Sequence, residues 1–375
     1  MSRIIKDEIR VLHLLSSAEI AGGERYLYDL VNHSDELIMH HIILPYKGPF
    51  AQILKDSGFP FDIIPLKHNY FVRSFTDIIR LIRIKNIDIV HTHGYRANLY
   101  GRIACMLKNI RHIVTVHVSL FDYKNTPKLL RYFYFFIETV LSFKTYKYIC
   151  ISRAMADDMR RLKIPAKKIS IIPNGVDLKR FYPRPACSKI RKEFGVNPKT
   201  PLIGTAGRLV PEKGQIHLIK ALKILKDKHC ELKCLFIGNG PLLNKINGKA
   251  AAFGVKDMCI FAGTRNDIEK IYPILDLFVL PSIREPFGLV LLEAMATQIP
   301  VLAFSNGGPQ EFIKSGRNGV LAPPEDSYRL AEEIQFLLQN NDRARSLADQ
   351  GRKSVEQNYN VKNTIRKIDN LYFSL

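Results

Sequence analysis

PLIGTAGRLVPEKGQIHLIKAL, residues 201–222, passes from a strand-length apolar run through a loop bearing cations and glycine into a helix-length amphipathic segment. The run 202–207 ends in Gly207, the loop carries Arg208 and Lys213, and Gly214 opens the helix. Working outward, the same alternation recurs along the chain, which is the pattern of a parallel sheet covered by helices on both faces. Strand candidates before it are 9–15, 37–44, 61–66, 88–93, 112–117, 148–152 and 169–173. After 202–207 they are 234–238, 259–263, 277–281, 300–304 and 318–322, and from about 327 the pattern is helical. Two successive series predict an α/β protein of two doubly wound domains, 1–185 and 186–375, with the last helix a candidate to pack back on the first. The break falls in the Pro- and Lys-rich stretch 183–200.

A length of 375 residues suits two domains of about 150–200 residues each. Hydrophobic residues make up 46% and charged residues 24%, which excludes a disordered chain. Lys and Arg number 56 against 35 Asp and Glu, a net charge of +21 concentrated in the first half. Such a balance favours nucleic acid, anionic lipid or phosphorylated ligands. The six cysteines form no CxxC pair and no His/Cys cluster has zinc-ligand spacing, so the cysteines read as thiols in a reducing cytosol. Lys6, Asp7, Glu8 and Arg10 break up the apolar core a signal peptide needs, and Glu138 interrupts the longest apolar window, 132–143. The expectation is a cytoplasmic protein that touches a membrane only from its surface.

In an open parallel sheet, ligands bind at the carboxyl ends of strands, where helix N-termini attract anions. Gly22 and Gly23 follow the first strand; they read either as a tight turn or as a close approach for phosphate. Arg208 and Lys213 could grip a diphosphate from two sides or be solvated surface cations. In REPFGLVLLEAMA, 284–296, Glu285 lies in a loop and Glu293 inside a helix among Leu and Met. Burying a carboxylate costs several kcal/mol unless it is paired, so a ribose, a sugar or a structural salt bridge must hold each one. His91, His93 and His117 end two strands at the ligand-facing side, as does the SNGGPQE loop, 305–311.

These residues resemble the retaining, nucleotide-sugar-dependent glycosyltransferases of group 1 (family four) with two-domain GT-B architecture. The matching stretches occur in the family's order: AGGER (21–25), HTHG (91–94), VTVH (114–117), IPNGVD (172–177), GRLVPEKG (207–214), IGNGPL (237–242), FAGTR (261–265), LPSIREPFGLVLLEAMA (280–296), SNGGPQE and NGVLAPPED (318–326). Arg153 departs from the acidic residue the family often carries after the serine of ISRAMADDM.

The resemblance implies two Rossmann-like domains facing across a cleft, with the donor held by the second and the acceptor by the first. Arg208 and Lys213 would bind the diphosphate, Glu293 the ribose, and Glu285 with Phe287, Gly288 and Leu289 the donor sugar. His117 would contact that sugar near its reacting carbon, Gly22 and Gly23 would let the first domain close on the phosphates, and Gly263, Thr264 and Arg265 would border the base. No metal and no enzymic nucleophile is expected, because a donor phosphate oxygen helps to deprotonate the incoming hydroxyl. Glu285 is therefore assigned to sugar positioning.

The basic, aromatic stretch 121–149 fits either an interfacial helix on anionic lipid or a core helix with a basic outer face. With membrane contact, the acceptor would be a lipid-linked or envelope glycan and the enzyme would assemble bacterial surface polysaccharide or lipopolysaccharide. Two alternatives compete. The paired glutamates and cations argue against a nucleotide-sugar epimerase. The spread of charge over many helices, with no grouped reading surface, argues against a nucleic-acid or polyanion binder.

Overall fold

The computed structural model describes residues 8–119, 121 and 128–375 and divides them into two compact units. Unit 1 comprises the chain up to Asn174 together with Val361–Leu375, and unit 2 is Gly175–Asn360. The crossing thus falls at 174/175 instead of 185/186, and residues 361–375 belong to the first unit. The Pro- and Lys-rich stretch that marked the expected break lies inside unit 2, where its Arg191 donates to the carbonyl of Ile274 at 3.1 Å.

The strands of unit 1 are β1 (Ile9–Leu15), β2 (Ile38–Leu44), β3 (Phe61–Ile63), β4 (Ile89–His93), β5 (Arg111–Val116), β6 (Thr145–Cys150) and β7 (Ile169–Ile171). Those of unit 2 are β8 (Leu202–Ala206), β9 (Lys233–Ile237), β10 (Cys259–Gly263), β11 (Leu277–Leu280), β12 (Val301–Phe304) and β13 (Val320–Ala322). Among the described residues they form a seven-stranded sheet, β3-β2-β1-β4-β5-β6-β7, and a six-stranded one, β10-β9-β8-β11-β12-β13. The pairings within both sheets are parallel. Strands covered on both faces read as continuous apolar runs, which is why β8 and β11 are buried at every position.

Each sheet reverses its strand order once, between β1 and β4 and between β8 and β11. That reversal opens a crevice beyond the carboxyl ends of the strands, and the loops carrying the candidate residues leave from these ends.

Core packing explains why the chain returns to unit 1. Val361, Ile365, Ile368 and Tyr372 of the helix Val361–Phe373 join the cluster built from β1, β2 and the helix Gly22–His33. Each such apolar side chain, fully buried, contributes about 1.5–3 kcal/mol. The unit 2 core is a separate cluster centred on Leu218, Leu222, Phe236, Leu277 and Phe304. Among the described residues no helix is long and apolar enough to cross a membrane.

Candidate active site

In unit 2 the loops beyond β8, β11 and β12 are stacked backbone to backbone, and glycine makes the stacking possible. Gly214, at φ +62°, passes so close to the next loop that a Cβ would sit 2.0 Å from the carbonyl oxygen of Pro281. Gly308 meets the Cα of Phe287 at 2.2 Å in the same test, and its N–H donates to the carbonyl of Glu285 at 2.8 Å. The N–H groups of Ile283 and Arg284 donate to the carbonyl of Glu212 at 2.9 and 3.1 Å. The candidate residues are therefore held by a rigid three-loop cluster at the sheet's crevice.

Within it, Lys213 Nζ lies 2.6 Å from Glu285 Oε2, and Ser282 Oγ donates to the same oxygen at 2.9 Å. Glu285 is 8% exposed, and both donors meet the same carboxylate oxygen, which answers the cost of burying it. Arg208, five residues before Lys213, is exposed immediately after β8, and its carbonyl accepts from Gln215 at 3.0 Å. The exposed guanidinium and the partly buried ammonium on one loop offer an incoming dianion one fork and one point charge.

Glu293 is buried at 3% exposure in the helix Leu289–Ala296, where Tyr272, itself fully buried, donates its hydroxyl to Oε2 at 2.9 Å. Gly288 caps that helix at φ +97°, a conformation favouring glycine. Phe287 is buried, while Leu289 begins the helix.

The three base-bordering candidates part company. Gly263 ends β10 and accepts from Gly238 N–H at 2.7 Å, and Thr264 is exposed. Arg265 is engaged laterally by Asp267, through two bonds of 2.8 Å, and by Glu193. These carboxylates hold its guanidinium protonated and fix its direction.

In unit 1, Gly22 and Gly23 open the helix Gly22–His33, and a Cβ on Gly23 would touch the His117 ring at 3.6 Å. The structure brings these two residues together as one corner. Burial pushes the His117 imidazole down to about 4, so near neutrality it is uncharged and can only exchange hydrogen bonds with a ligand. Its Nε2 faces His93 Nδ1 at 3.1 Å. His91 and His93 do not reach the surface of the crevice: both are buried inside the sheet.

Sequence reasoning missed Ser282, Tyr272 and Glu24. Ser282 stands inside the quoted LPSIRE motif and was legible. Tyr272 was not, because only the fold brings it to Glu293. Glu24 is 6% exposed in the first turn after Gly22 and Gly23, where burial raises its carboxyl above the usual range.

Comparison with known proteins bears directly on this arrangement. The family described as Glycosyltransferase Family 4 matches residues 20–180, and that described as Glycosyl transferases group 1 matches 188–354. The chain belongs to the group 1 glycosyltransferases and is a glycosyltransferase of two Rossmann-like domains. It is 26% identical to the UDP-Gal:alpha-D-GlcNAc-diphosphoundecaprenol alpha-1,3-galactosyltransferase of Escherichia coli, over 98% of this chain and 97% of that protein. It is 27% identical to the putative glycosyltransferase EpsD of Bacillus subtilis, over 82% and 83% respectively. Its fold superimposes on Anabaena HepE, solved with UDP and glucose, at a TM-score of 0.89 and 22% identity, covering 98% of this chain and all of that one. The named relatives are transferases, which disfavours the epimerase alternative.

Proposed function

We propose that the protein transfers a hexose from a UDP-linked donor to a lipid-linked glycan, with retention of anomeric configuration, in the assembly of cell-envelope polysaccharide or lipopolysaccharide. The observation that carries this reading is the Lys213–Glu285–Ser282 cluster at the unit 2 switch point, with Arg208 and Glu293 on the neighbouring turns. UDP as the carrier is supported by the donor named for the Escherichia coli relative and by the ligands of HepE, and the lipid-linked acceptor by the same relative's diphosphoundecaprenol substrate.

In this reading Arg208 and Lys213 neutralise the departing diphosphate, so the transfer step uses no metal. Glu293 accepts hydrogen bonds from the ribose hydroxyls. Glu285 orients the sugar hydroxyls, assisted by backbone N–H groups near Gly288. The acceptor oxygen attacks the anomeric carbon on the face from which the phosphate leaves. A donor phosphate oxygen takes the acceptor's proton, and UDP departs carrying it.

Contact with the cytoplasmic face of an anionic membrane is supported by the helix Lys128–Leu141. Leu129 is 84% exposed, Phe136 64% and Tyr132 60%, and Phe143 and Lys144 continue the surface just beyond. An apolar stripe beside cations fits an interfacial helix. Of the basic, aromatic stretch, residues 122–127 lie outside the described residues.

The test is a thermal-shift and calorimetric screen against UDP, GDP and ADP sugars on wild type and Lys213→Ala. A UDP-sugar that stabilises the wild type and not the variant is expected; stabilisation of both alike, or by none, overturns the donor assignment. For the membrane face, Phe136→Ser with Phe143→Ser should abolish co-sedimentation with phosphatidylglycerol vesicles, and unchanged co-sedimentation would remove it.

A further inference from the structure

We propose that His13, His91 and His93 form a binding site for a transition-metal cation of the zinc class inside unit 1. The three imidazoles come together by sheet register. His91 and His93 stand two apart on β4 and so share a face, and β1 lies alongside with His13 paired to His91. Among the described residues they form the one group of three or more His, Cys, Asp or Glu whose ligand atoms all lie within 4.8 Å of one another. All three are buried, at 0%, 0% and 5% exposure.

Three features make the group a ligand set. The first is spacing: His13 Nδ1 and His93 Nε2 are 3.2 Å apart, and a tetrahedral zinc with bonds of about 2.0–2.1 Å separates its ligand nitrogens by about 3.3–3.4 Å. A cation can therefore replace the proton between these two nitrogens with little movement of either ring. Convergence of the rings is the second. The His13–His91, His13–His93 and His91–His93 ring centroids lie 5.3, 5.5 and 4.5 Å apart, so the three imidazoles face one small volume.

The third feature is the surround. A ligating histidine almost always donates its second ring N–H to a fixed partner. His13 Nε2 meets His40 Nδ1 at 2.9 Å, and His93 Nδ1 meets His117 Nε2 at 3.1 Å. His91 has Tyr372 on Nδ1 at 2.6 Å and Thr115 on Nε2 at 2.7 Å, so it can give up one bond and keep the other. An all-imidazole set suits zinc, cobalt, nickel or copper and offers nothing to magnesium or calcium, which take oxygen ligands. Three imidazoles also hold the zinc of carbonic anhydrase.

Occupancy has a defined consequence. With His93 Nε2 on the metal, its proton sits on Nδ1 and is donated to His117 Nε2, which obliges a neutral His117 to carry its own proton on Nδ1. The cation also ties β1 to β4. It is built into the sheet, so it is distinct from the cations Arg208 and Lys213 of unit 2, and the inference stands whether or not the donor assignment holds.

The experiment uses the full chain, stripped with a chelator and then titrated with Zn2+ and Co2+. The wild type should retain one Zn2+ per chain after gel filtration, gain thermal stability with Zn2+, and show with Co2+ the intense visible absorption of a four-coordinate site. His13→Gln should weaken Zn2+ binding at least tenfold, whereas His112→Gln, which removes a buried imidazole outside the group, should not. Substoichiometric retention, a pale six-coordinate cobalt spectrum, or equal binding by folded His13→Gln overturns the proposal. If His13→Gln does not fold, the wild-type stoichiometry and cobalt spectrum decide alone.

Discussion

Lys213 and Glu285 form a direct ion pair, Nζ to Oε2 at 2.6 Å, across two loops that leave different strands of the unit 2 sheet. The lysine is a quarter exposed and the carboxylate 7%, so solvent reaches the pair from the lysine side. A diphosphate arriving there meets an ammonium already oriented by a buried partner. Lys213→Ala should cut kcat/KM for transfer at least tenfold, about 1.4 kcal/mol of transition-state stabilisation, with Arg208→Ala and Glu293→Ala similar. Steady-state kinetics on folded variants provide the check, and near-normal rates would refute the assignment.

Tyr272 donates to Glu293, the carboxylate proposed to bind the ribose. Removing its hydroxyl takes one donor from the buried carboxylate, at a cost of about 1.5 kcal/mol. Tyr272→Phe should therefore weaken nucleotide-sugar binding roughly tenfold, raising KM more than it lowers kcat. A calorimetric Kd for UDP equal to that of wild type would remove this role.

Two glycine substitutions should behave oppositely. Gly308→Ala drives a methyl into the backbone of Phe287, so it should dismantle the loop cluster and abolish donor binding. At Gly22 an added methyl would meet nothing within 4 Å, and the residue begins a helix, where alanine is favoured. Gly22→Ala should keep or raise Tm. A transfer rate that falls in that stable variant marks close approach of phosphate, and an unaltered rate leaves Gly22 as a turn residue.

Arg102 is fully buried and bonded to Glu138, Thr145 and Tyr148, so the aromatic helix is anchored by an ion pair beneath its exposed stripe. Breaking one side leaves an uncompensated charge. Glu138→Ala should cost about 3–5 kcal/mol in denaturant unfolding, and a loss below 1 kcal/mol would contradict the geometry.

His112 is held between Thr92 and Thr145, and burial first, then the Arg102 charge, lowers its pKa well below the usual value. The unfolded chain protonates it near 6.5 and the folded one does not, so stability must fall as pH drops below about 6.5. His112→Gln should flatten that slope by up to about 1.4 kcal/mol per pH unit. Parallel urea titrations between pH 7 and 5 would measure the difference.

The strands were legible because parallel strands are buried on both faces and leave unbroken apolar runs. Glu285 and Glu293 were conspicuous for the converse reason, being carboxylates in places hostile to charge. The domain division was less accessible: the amphipathic face of 361–373 says that the helix packs, without saying on which core. The histidine group was hidden by topology, since β1 and β4 are neighbours in space and nearly eighty residues apart in sequence. His91 and His93 read from sequence as strand-end residues facing a ligand, and the register instead sets His91 beside His13 within the sheet.

The return of Val361–Leu375 to unit 1 sets an order of events during synthesis. As the chain leaves the ribosome, unit 1 waits without its closing helix while the whole of unit 2 is made, on the order of 10–40 s at ordinary elongation rates. Unit 2 can fold at once, being continuous in sequence. Unit 1 meanwhile exposes the groove that Ile365, Ile368 and Tyr372 later fill, and that interval is when a chaperone or a neighbouring nascent chain has access to it.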